Sequence, residues 1–177
     1  MGFRRRKLEA ENEVYEYAVR CLAARMRSIA ELKRLLRQRV DLETGSGSAW
    51  VELVIRRLRD QGYLNDRKYA AAYSSFRRDN EKLGPRRIAW DLKARGVARE
   101  IIAKTLDSTF EEVDEEKQAR EYLRRKRATK PRDPKQARRI FRQLLHAGFE
   151  AKTIFAILRK WDVEEETLEA LEGSLQQ

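Results

Sequence analysis

GYLNDRKYAAAYSSFRRDN (residues 62–80), followed two residues later by LGPRRIAWDLKARGVAREIIAKTL (83–106), contains the signals for three short helices in succession. Asn65 or Asp66 is a suitable N-cap for the first helix, because a short polar side chain accepts hydrogen bonds from the free amides of the first turn. The helix that follows carries the aromatic residues Tyr69, Tyr73 and Phe76.

Glycine and proline mark the ends of the next two helices. Gly84 and Pro85 predict the start of the second helix, where the missing N–H of proline does no harm. Gly96 predicts its end, because glycine takes the left-handed conformation of a helix C-cap at little cost, and Ala98 opens the third helix. The predicted apolar stripes consist of Ile88, Leu92 and the stem of Trp90 in the second helix, and Ile101, Ile102 and Leu106 in the third.

The same pattern recurs at a fixed offset of 52 positions, and this recurrence predicts tandem repeats. The matched pairs are Ile88/Ile140, Leu92/Leu144, Gly96/Gly148, Val97/Phe149, Ile102/Ile154 and Leu106/Leu158. Any helical protein shows apolar matches of this kind, but the matched glycine that ends a helix is harder to reproduce by chance. A looser copy lies upstream, with Leu32, Leu36 and Val40 at an offset of 56 and Val54 and Leu58 at an offset of 48.

We therefore predict an all-α fold, an elongated array of three tandem three-helix repeats. The predicted divisions are a flexible basic arm over 1–9, repeats over 10–61, 62–109 and 110–161, and an acidic C-terminal tail or cap over 162–177. Two departures affect the first repeat. Val40 stands where the other repeats have glycine, and TGSGS (44–48) reads as a loop, with a hinge as the alternative.

Composition excludes several classes of protein. The 177 residues include 40 Lys and Arg against 29 Asp and Glu, a formal charge of +11 that favours anionic partners. The single cysteine, Cys21, excludes an intrachain disulfide, and its apolar neighbours predict a buried thiol. No apolar run reaches membrane-spanning length and no signal peptide is evident, so we expect a soluble, cytoplasmic monomer without membrane contact.

The chain lacks the familiar motifs of enzymes and metal proteins. It contains no G-x-G-x-x-G sequence, no Walker loop and no C-x-x-C pair. Its one histidine, His146, falls in the last turn of a predicted helix, where a cation or donor suits the helix dipole. We expect a protein that is not an enzyme, with no catalytic residue, cofactor or metal.

Basic residues concentrate in the third predicted repeat. Residues 120–139 contain ten basic and two acidic residues, and matching to a helix dipole explains only the first few of the charges. A cluster of this density predicts contact with DNA phosphate or an acidic protein surface, with a solvated face as the alternative. A smaller cluster lies in the second repeat, where helix ends often carry such residues. The candidate contact residues are Arg77, Arg78, Arg86, Arg87, Arg120, Arg124, Arg125, Lys126, Arg127, Lys130, Arg132, Lys135, Arg138 and Arg139.

Three segments resemble the RecX regulators of the bacterial RecA recombinase: RMRSIAELKRLL (25–36), GYLNDRKYA (62–70) and GPRRIAWDLKARGV (84–97). The resemblance implies a protein that binds in the groove of the RecA filament on single-stranded DNA. It also implies inhibition of ATP hydrolysis and strand exchange, and so modulation of recombination, DNA repair and the SOS response. The RecA nucleoprotein filament is then the expected partner, and the basic clusters are its candidate contacts.

Two other functions are compatible with the residues alone. The chain could be a helical DNA-binding protein that acts without RecA, on single- or double-stranded DNA, with short helices as readers. It could also be a scaffold whose charge serves only solubility. Whether DNA is contacted directly is left open by the sequence.

Overall fold

The computed structural model describes residues 7–43 and 45–175, and within them the chain forms ten α helices and no strand beyond one isolated bridge. This confirms the predicted all-α fold. The helices are α1 (Glu11–Ala24), α2 (Ile29–Arg37), α3 (Ser46–Asp60), α4 (Asp66–Glu81), α5 (Pro85–Ala94), α6 (Arg99–Phe110), α7 (Glu115–Arg125), α8 (Pro134–His146), α9 (Ala151–Lys160) and α10 (Glu165–Gly173).

The chain divides into two compact units. One contains the described residues of 1–71 together with 92–102, and the other contains 72–91 together with the described residues of 103–177. In the first unit, α1, α2 and α3 enclose an apolar core that includes Cys21, as predicted. In the second unit, α7 packs on α9, and α8 contacts both α9 and α10. The division into repeats over 10–61, 62–109 and 110–161 stays a prediction.

Local hydrogen bonds explain where the helices begin. Ser28 and Glu31 form a reciprocal capping box, in which the Ser28 hydroxyl accepts from the Glu31 N–H at 3.0 Å and the Glu31 carboxylate accepts from the Ser28 N–H at 3.2 Å. Asn65, rather than Asp66, caps α4, because its side-chain oxygen accepts from the N–H groups of Arg67 and Lys68. The Asp66 carboxylate instead accepts a hydrogen bond from the Ile29 N–H at 2.8 Å.

Two expectations about local structure were wrong. The segment 44–48 is not a simple loop, because α3 already begins at Ser46; Thr44 lies outside the described residues. Gly47 is buried, and a Cβ there would lie 2.0 Å from the Asp41 carbonyl oxygen, so close packing explains this glycine better than flexibility does. Trp90 does not contribute to the apolar stripe of α5, because its side chain is 62% exposed.

Both ends of the chain include residues outside the described part. Of the predicted arm, 1–6 lie outside it, whereas Leu8 forms a parallel bridge with Val40 and donates its N–H to the Arg39 carbonyl at 2.7 Å. Of the predicted tail, residues 176 and 177 lie outside it, and α10 buries Leu168 and Leu171. No described helix combines the length and the apolar character that a membrane span requires.

Candidate basic interaction surface

Helix α7 presents the first part of the predicted basic cluster. Its N-terminus is capped by Asp114, which accepts from the Lys117 N–H at 3.1 Å. Arg124 and Arg125 occupy its last turn, where positive charge interacts favourably with the helix dipole. Both side chains are exposed, and neither forms an ion pair with a described residue. They are therefore available to an anionic partner.

The turn after α7 holds a cation in a strained conformation. The Ala128 N–H donates to the Leu123 carbonyl at 3.0 Å, which is the hydrogen bond of a Schellman C-cap. This motif places Arg127 at a φ of 54°, in the left-handed region that glycine adopts most easily. At the equivalent place after α5 and α8 the chain uses Gly96 and Gly148. The exposed Arg127 therefore occupies a backbone conformation that is less favourable for an L-residue than for glycine.

Lys126, Arg127 and Arg139 line a groove between the end of α7 and one face of α8. We call this the α7–α8 groove; its volume is about 360 Å³. Lys126 also lies over the Tyr122 ring, with its Nζ 5.6 Å from the ring centroid. The complete lining is Lys126, Arg127, Ala128, Thr129, Gln136, Arg139, Ile140 and Gln143.

Three of these lining residues are uncharged and were not predicted as contact residues. Thr129 and Gln143 add a hydroxyl and an amide as neutral hydrogen-bond donors, whereas the Gln136 amide already donates to Asp133 at 2.9 Å. A signal for the two glutamines was present, because positions 136, 139, 140 and 143 follow the spacing of one helix face. That face combines with the α7 turn only in the folded chain.

The other predicted residues of the cluster lie around the α7–α8 groove in different settings. Arg120 pairs with Glu116 at 2.5 Å, and Lys130 pairs with Asp162 at 2.7 Å. Arg138 lines a separate groove between α8 and α10. Arg132 and Lys135 are exposed beside the N-terminus of α8, without an ion pair among the described residues.

The smaller cluster in the second repeat is engaged within its own unit. Arg77 donates to the Asp91 carboxylate at 2.9 Å and also binds Glu81. Arg78 donates to the Thr109 carbonyl at 2.5 Å and to Asp79 at 2.7 Å.

The remaining two arginines of this cluster also have internal partners. Arg87 lies 3.2 Å from Asp91 and stacks on Trp90, and Arg86 lies 3.6 Å from Glu150. A ligand would have to compete with these contacts, so the cluster is a weaker candidate surface than the α7–α8 groove.

Acidic residues do little to neutralise the α7–α8 groove. Of the two carboxylates within 120–139, Asp133 accepts from the Gln136 N–H as the cap of α8. Glu121 binds Lys82 at 2.9 Å, and this hydrogen bond lowers the pKa of the Glu121 carboxyl. Glu121 is therefore engaged by Lys82 outside the groove, and Asp133 is engaged at the start of α8, where it also accepts from the Gln136 side-chain amide at 2.9 Å.

The chemistry of the α7–α8 groove suits binding of anionic oxygens. Guanidinium and ammonium groups donate hydrogen bonds to phosphate or carboxylate, and Thr129 and Gln143 add neutral donors. No group of three or more His, Cys, Asp and Glu within 7–43 and 45–175 could hold a metal ion.

Comparison with known proteins gives consistent matches. The family model described as RecX, second three-helix domain, matches residues 65–106. The regulatory protein RecX of Myxococcus xanthus is 33% identical over 162 residues, covering 85% of this chain and 82% of that protein. The regulatory protein RecX of Cronobacter sakazakii is 32% identical, covering 86% of this chain and 94% of that protein.

A solved structure supports the fold. The crystal structure of RecX from Lactobacillus salivarius superposes with a TM-score of 0.63 at 20% identity, over 86% of this chain and 96% of that chain. The likeness in fold and the sequence identity over most of both chains agree. This chain belongs to the RecX family of regulatory proteins.

Proposed function

We propose that this chain regulates RecA by binding in the groove of the RecA filament on single-stranded DNA. Binding there inhibits ATP hydrolysis and strand exchange, and thereby modulates recombination, DNA repair and the SOS response. Membership of a family of regulatory proteins supports a regulatory role. The resemblance of 62–70 and 84–97 to regulators of RecA supports the RecA filament as the partner.

The observation that carries the proposal is the α7–α8 groove with its exposed cations. Lys126, Arg127 and Arg139 have no ion pair with any described residue, although the chain contains many carboxylates that could have provided one. Unpaired cations beside neutral donors fit phosphate oxygens of DNA or carboxylates of a protein groove.

Inhibition in this mechanism requires no catalytic residue. Successive helical repeats contact adjacent RecA protomers, while the α7–α8 groove faces acidic filament surface or DNA. Bridged protomers cannot make the rearrangement that accompanies hydrolysis, and the bound chain also obstructs entry of duplex DNA. Repeat proteins present extended surfaces, and such surfaces suit a filament groove better than they suit a small ligand.

The test measures single-stranded-DNA-dependent ATP hydrolysis by RecA while this protein is added in substoichiometric amounts. We expect inhibition well below one copy per RecA protomer. Replacing Lys126, Arg127 and Arg139 with Glu should raise the concentration for half inhibition by at least ~10-fold, which corresponds to about 1.4 kcal/mol.

A matched variant controls for net charge. Arg34, Arg56 and Arg99 are exposed, have no ion pair among the described residues and lie outside the α7–α8 groove. Replacing these three with Glu makes the same change in charge and should leave inhibition nearly unchanged. Equal loss in both variants would show that only net charge matters. Absence of inhibition, together with salt-dependent binding to DNA alone, would favour a DNA-binding protein that acts without RecA.

A further inference from the structure

Trp90 presents an open aromatic surface on α5. The residue is 62% exposed, and within the described helix α5 it is the only large apolar side chain that solvent reaches to this extent. Apolar patches that bind other proteins are contiguous and cover several side chains. The surface around Trp90 is therefore a single ring rather than a patch of that kind.

One face of the Trp90 ring is held by a cation. The Arg87 guanidinium lies over the ring, with its central carbon 5.0 Å from the ring centroid. The Arg87 Nε lies 3.2 Å from a carboxylate oxygen of Asp91, which fixes the guanidinium in turn. Because Arg87 occupies one face, the exposed surface of Trp90 must lie mainly on the opposite face and along the ring edge.

Buried contacts of Asp91 make this arrangement rigid. The Asp91 carboxylate accepts hydrogen bonds from the Tyr73 hydroxyl and from Arg77, both at 2.9 Å. A flat ligand that stacks on the open face of Trp90 leaves all of these contacts in place. The pairing of Arg87 thus competes with a phosphate for the guanidinium, but it does not compete with stacking.

Arg86 adds hydrogen-bond donors beside the ring. It lies one helical turn before Trp90, on the same face of α5, and its side chain is exposed. Its nearest carboxylate, that of Glu150, is 3.6 Å away, which is longer than a hydrogen bond. Glu150 is bound more closely by Lys152, at 2.9 Å. The Arg86 guanidinium can therefore donate to a phosphate of a ligand on Trp90.

We propose that Trp90 stacks on an unpaired base of single-stranded DNA while Arg86 binds a neighbouring phosphate. Aromatic rings next to cations are the features with which proteins bind single strands, and the stacking tolerates any sequence because every base has a π face. An unpaired base is required, since the bases of a duplex are already stacked on each other. The choice of DNA rests on the proposed function, in which the filament is formed on single-stranded DNA.

The test compares two single strands with the same number of phosphates. One is an oligothymidylate, and the other is an abasic strand of equal length, which has the sugar–phosphate backbone without bases. Fluorescence anisotropy at low salt, without RecA, measures the affinity of the full chain for each. We expect the oligothymidylate to bind at least ~10-fold more tightly. Equal affinity for the two strands, or no binding of the oligothymidylate, would overturn the proposal.

Substitutions separate the ring from the cation. Trp90→Ala should lower the affinity for the oligothymidylate at least ~10-fold and leave the affinity for the abasic strand unchanged. Trp90→Phe should restore most of this loss, because it keeps an aromatic ring. Arg86→Ala should lower both affinities by the same factor, because it removes a phosphate contact. Equal loss for both strands in Trp90→Ala would overturn base stacking.

Tyr63→Ala is the matched control for an exposed aromatic ring. Tyr63 is 70% exposed, belongs to the other unit and has no guanidinium stacked on it among the described residues. Its replacement should leave both affinities unchanged, and a loss equal to that of Trp90→Ala would overturn the assignment of the site to Trp90. Circular dichroism establishes that all variants are folded.

A measurement with RecA distinguishes DNA from a protein as the ligand of Trp90. Weaker inhibition of RecA by Trp90→Ala, with unchanged binding to the oligothymidylate, would assign Trp90 to a protein contact and overturn the proposal. The binding assays contain no RecA. Their failure would therefore leave the proposed function standing, and failure of RecA inhibition would not alter the affinities measured for the two strands.

Discussion

Arg127 shows how one residue can trade stability for charge. Its φ of 54° costs an L-residue roughly 1–2 kcal/mol relative to ordinary helical backbone, and glycine would avoid most of this cost. The turns after α5 and α8 use glycine at this place, whereas those after α4 and α9 use Lys82 and Asp162, with φ of 57° and 52°. Of these three side chains at positive φ, Arg127 is the one that lines the α7–α8 groove.

We predict that Arg127→Gly raises the free energy of unfolding by about 1 kcal/mol and weakens inhibition of RecA. Urea denaturation measures the first effect and ATP hydrolysis the second. Arg127→Ala is the control, because it removes the same charge but keeps a Cβ at the positive φ. It should weaken inhibition to the same extent without raising the free energy of unfolding. A stability gain for Arg127→Gly with full inhibition would remove this arginine from the mechanism.

Asp91 is the most deeply buried carboxylate in the second unit, with 4% of its surface exposed. It accepts from the Tyr73 hydroxyl and from Arg77, both at 2.9 Å, and lies 3.2 Å from Arg87. We predict that Asp91→Ala lowers the free energy of unfolding by about 2–3 kcal/mol, because the partly buried Arg77 loses one of its two carboxylate partners and the hydrogen bond from Tyr73 is lost. Asp107→Ala, at an exposed helical site, should change it by less than ~0.5 kcal/mol. Urea denaturation of both variants is the measurement, and similar small effects would contradict a stabilising role for this network.

Among the helices, the glycine turns differ in what surrounds them. Gly62 and Gly148 both have positive φ, 75° and 90°. A Cβ added at Gly62 would have no atom within 4 Å. A Cβ added at Gly148 would lie 2.2 Å from the backbone nitrogen of Arg87. The two positions therefore separate backbone strain from steric overlap.

We predict that Gly62→Ala costs about 1 kcal/mol and that Gly148→Ala costs at least ~3 kcal/mol, because the second variant must also displace backbone. Thermal and urea denaturation measure both. Equal losses would mean that the contact between this turn and the start of α5 adapts easily, and that close docking is not required.

The start of a helix could be predicted from the sequence where the capping residues act within that same helix. The capping box at Ser28 and Glu31 follows the S-x-x-E pattern of residues 28–31. The start of α3 was not predictable, because Ser46, Gly47 and Ser48 have weak helix propensity, and contact of Gly47 with the backbone at Asp41 is a tertiary effect. The exposure of Trp90 likewise depends on packing that no helical spacing reveals.

For the whole molecule, the formal charge of +11 predicts attraction to polyanions but does not identify a surface. If the α7–α8 groove contacts phosphates, replacing Lys126, Arg127 and Arg139 with Glu should reduce the salt dependence of single-stranded-DNA binding. With a log–log slope of roughly −0.7 per phosphate contact, the slope should become less steep by about 2. Fluorescence anisotropy at several salt concentrations measures it. An unchanged slope, with the Arg34, Arg56 and Arg99 variant as reference, would place the DNA contacts elsewhere.

The sequence by itself determined the all-α fold, the helix-ending glycines, the buried cysteine and the family, because these depend on periodicity, capping and residue identity along the chain. Only the tertiary structure decided which cations are available. Arg77 and Arg87 meet a buried carboxylate, whereas Arg127 and Arg139 come together from different helices without one. The physical reason is that ion pairing depends on distances of a few ångströms between elements remote in the chain, and these distances are set by packing.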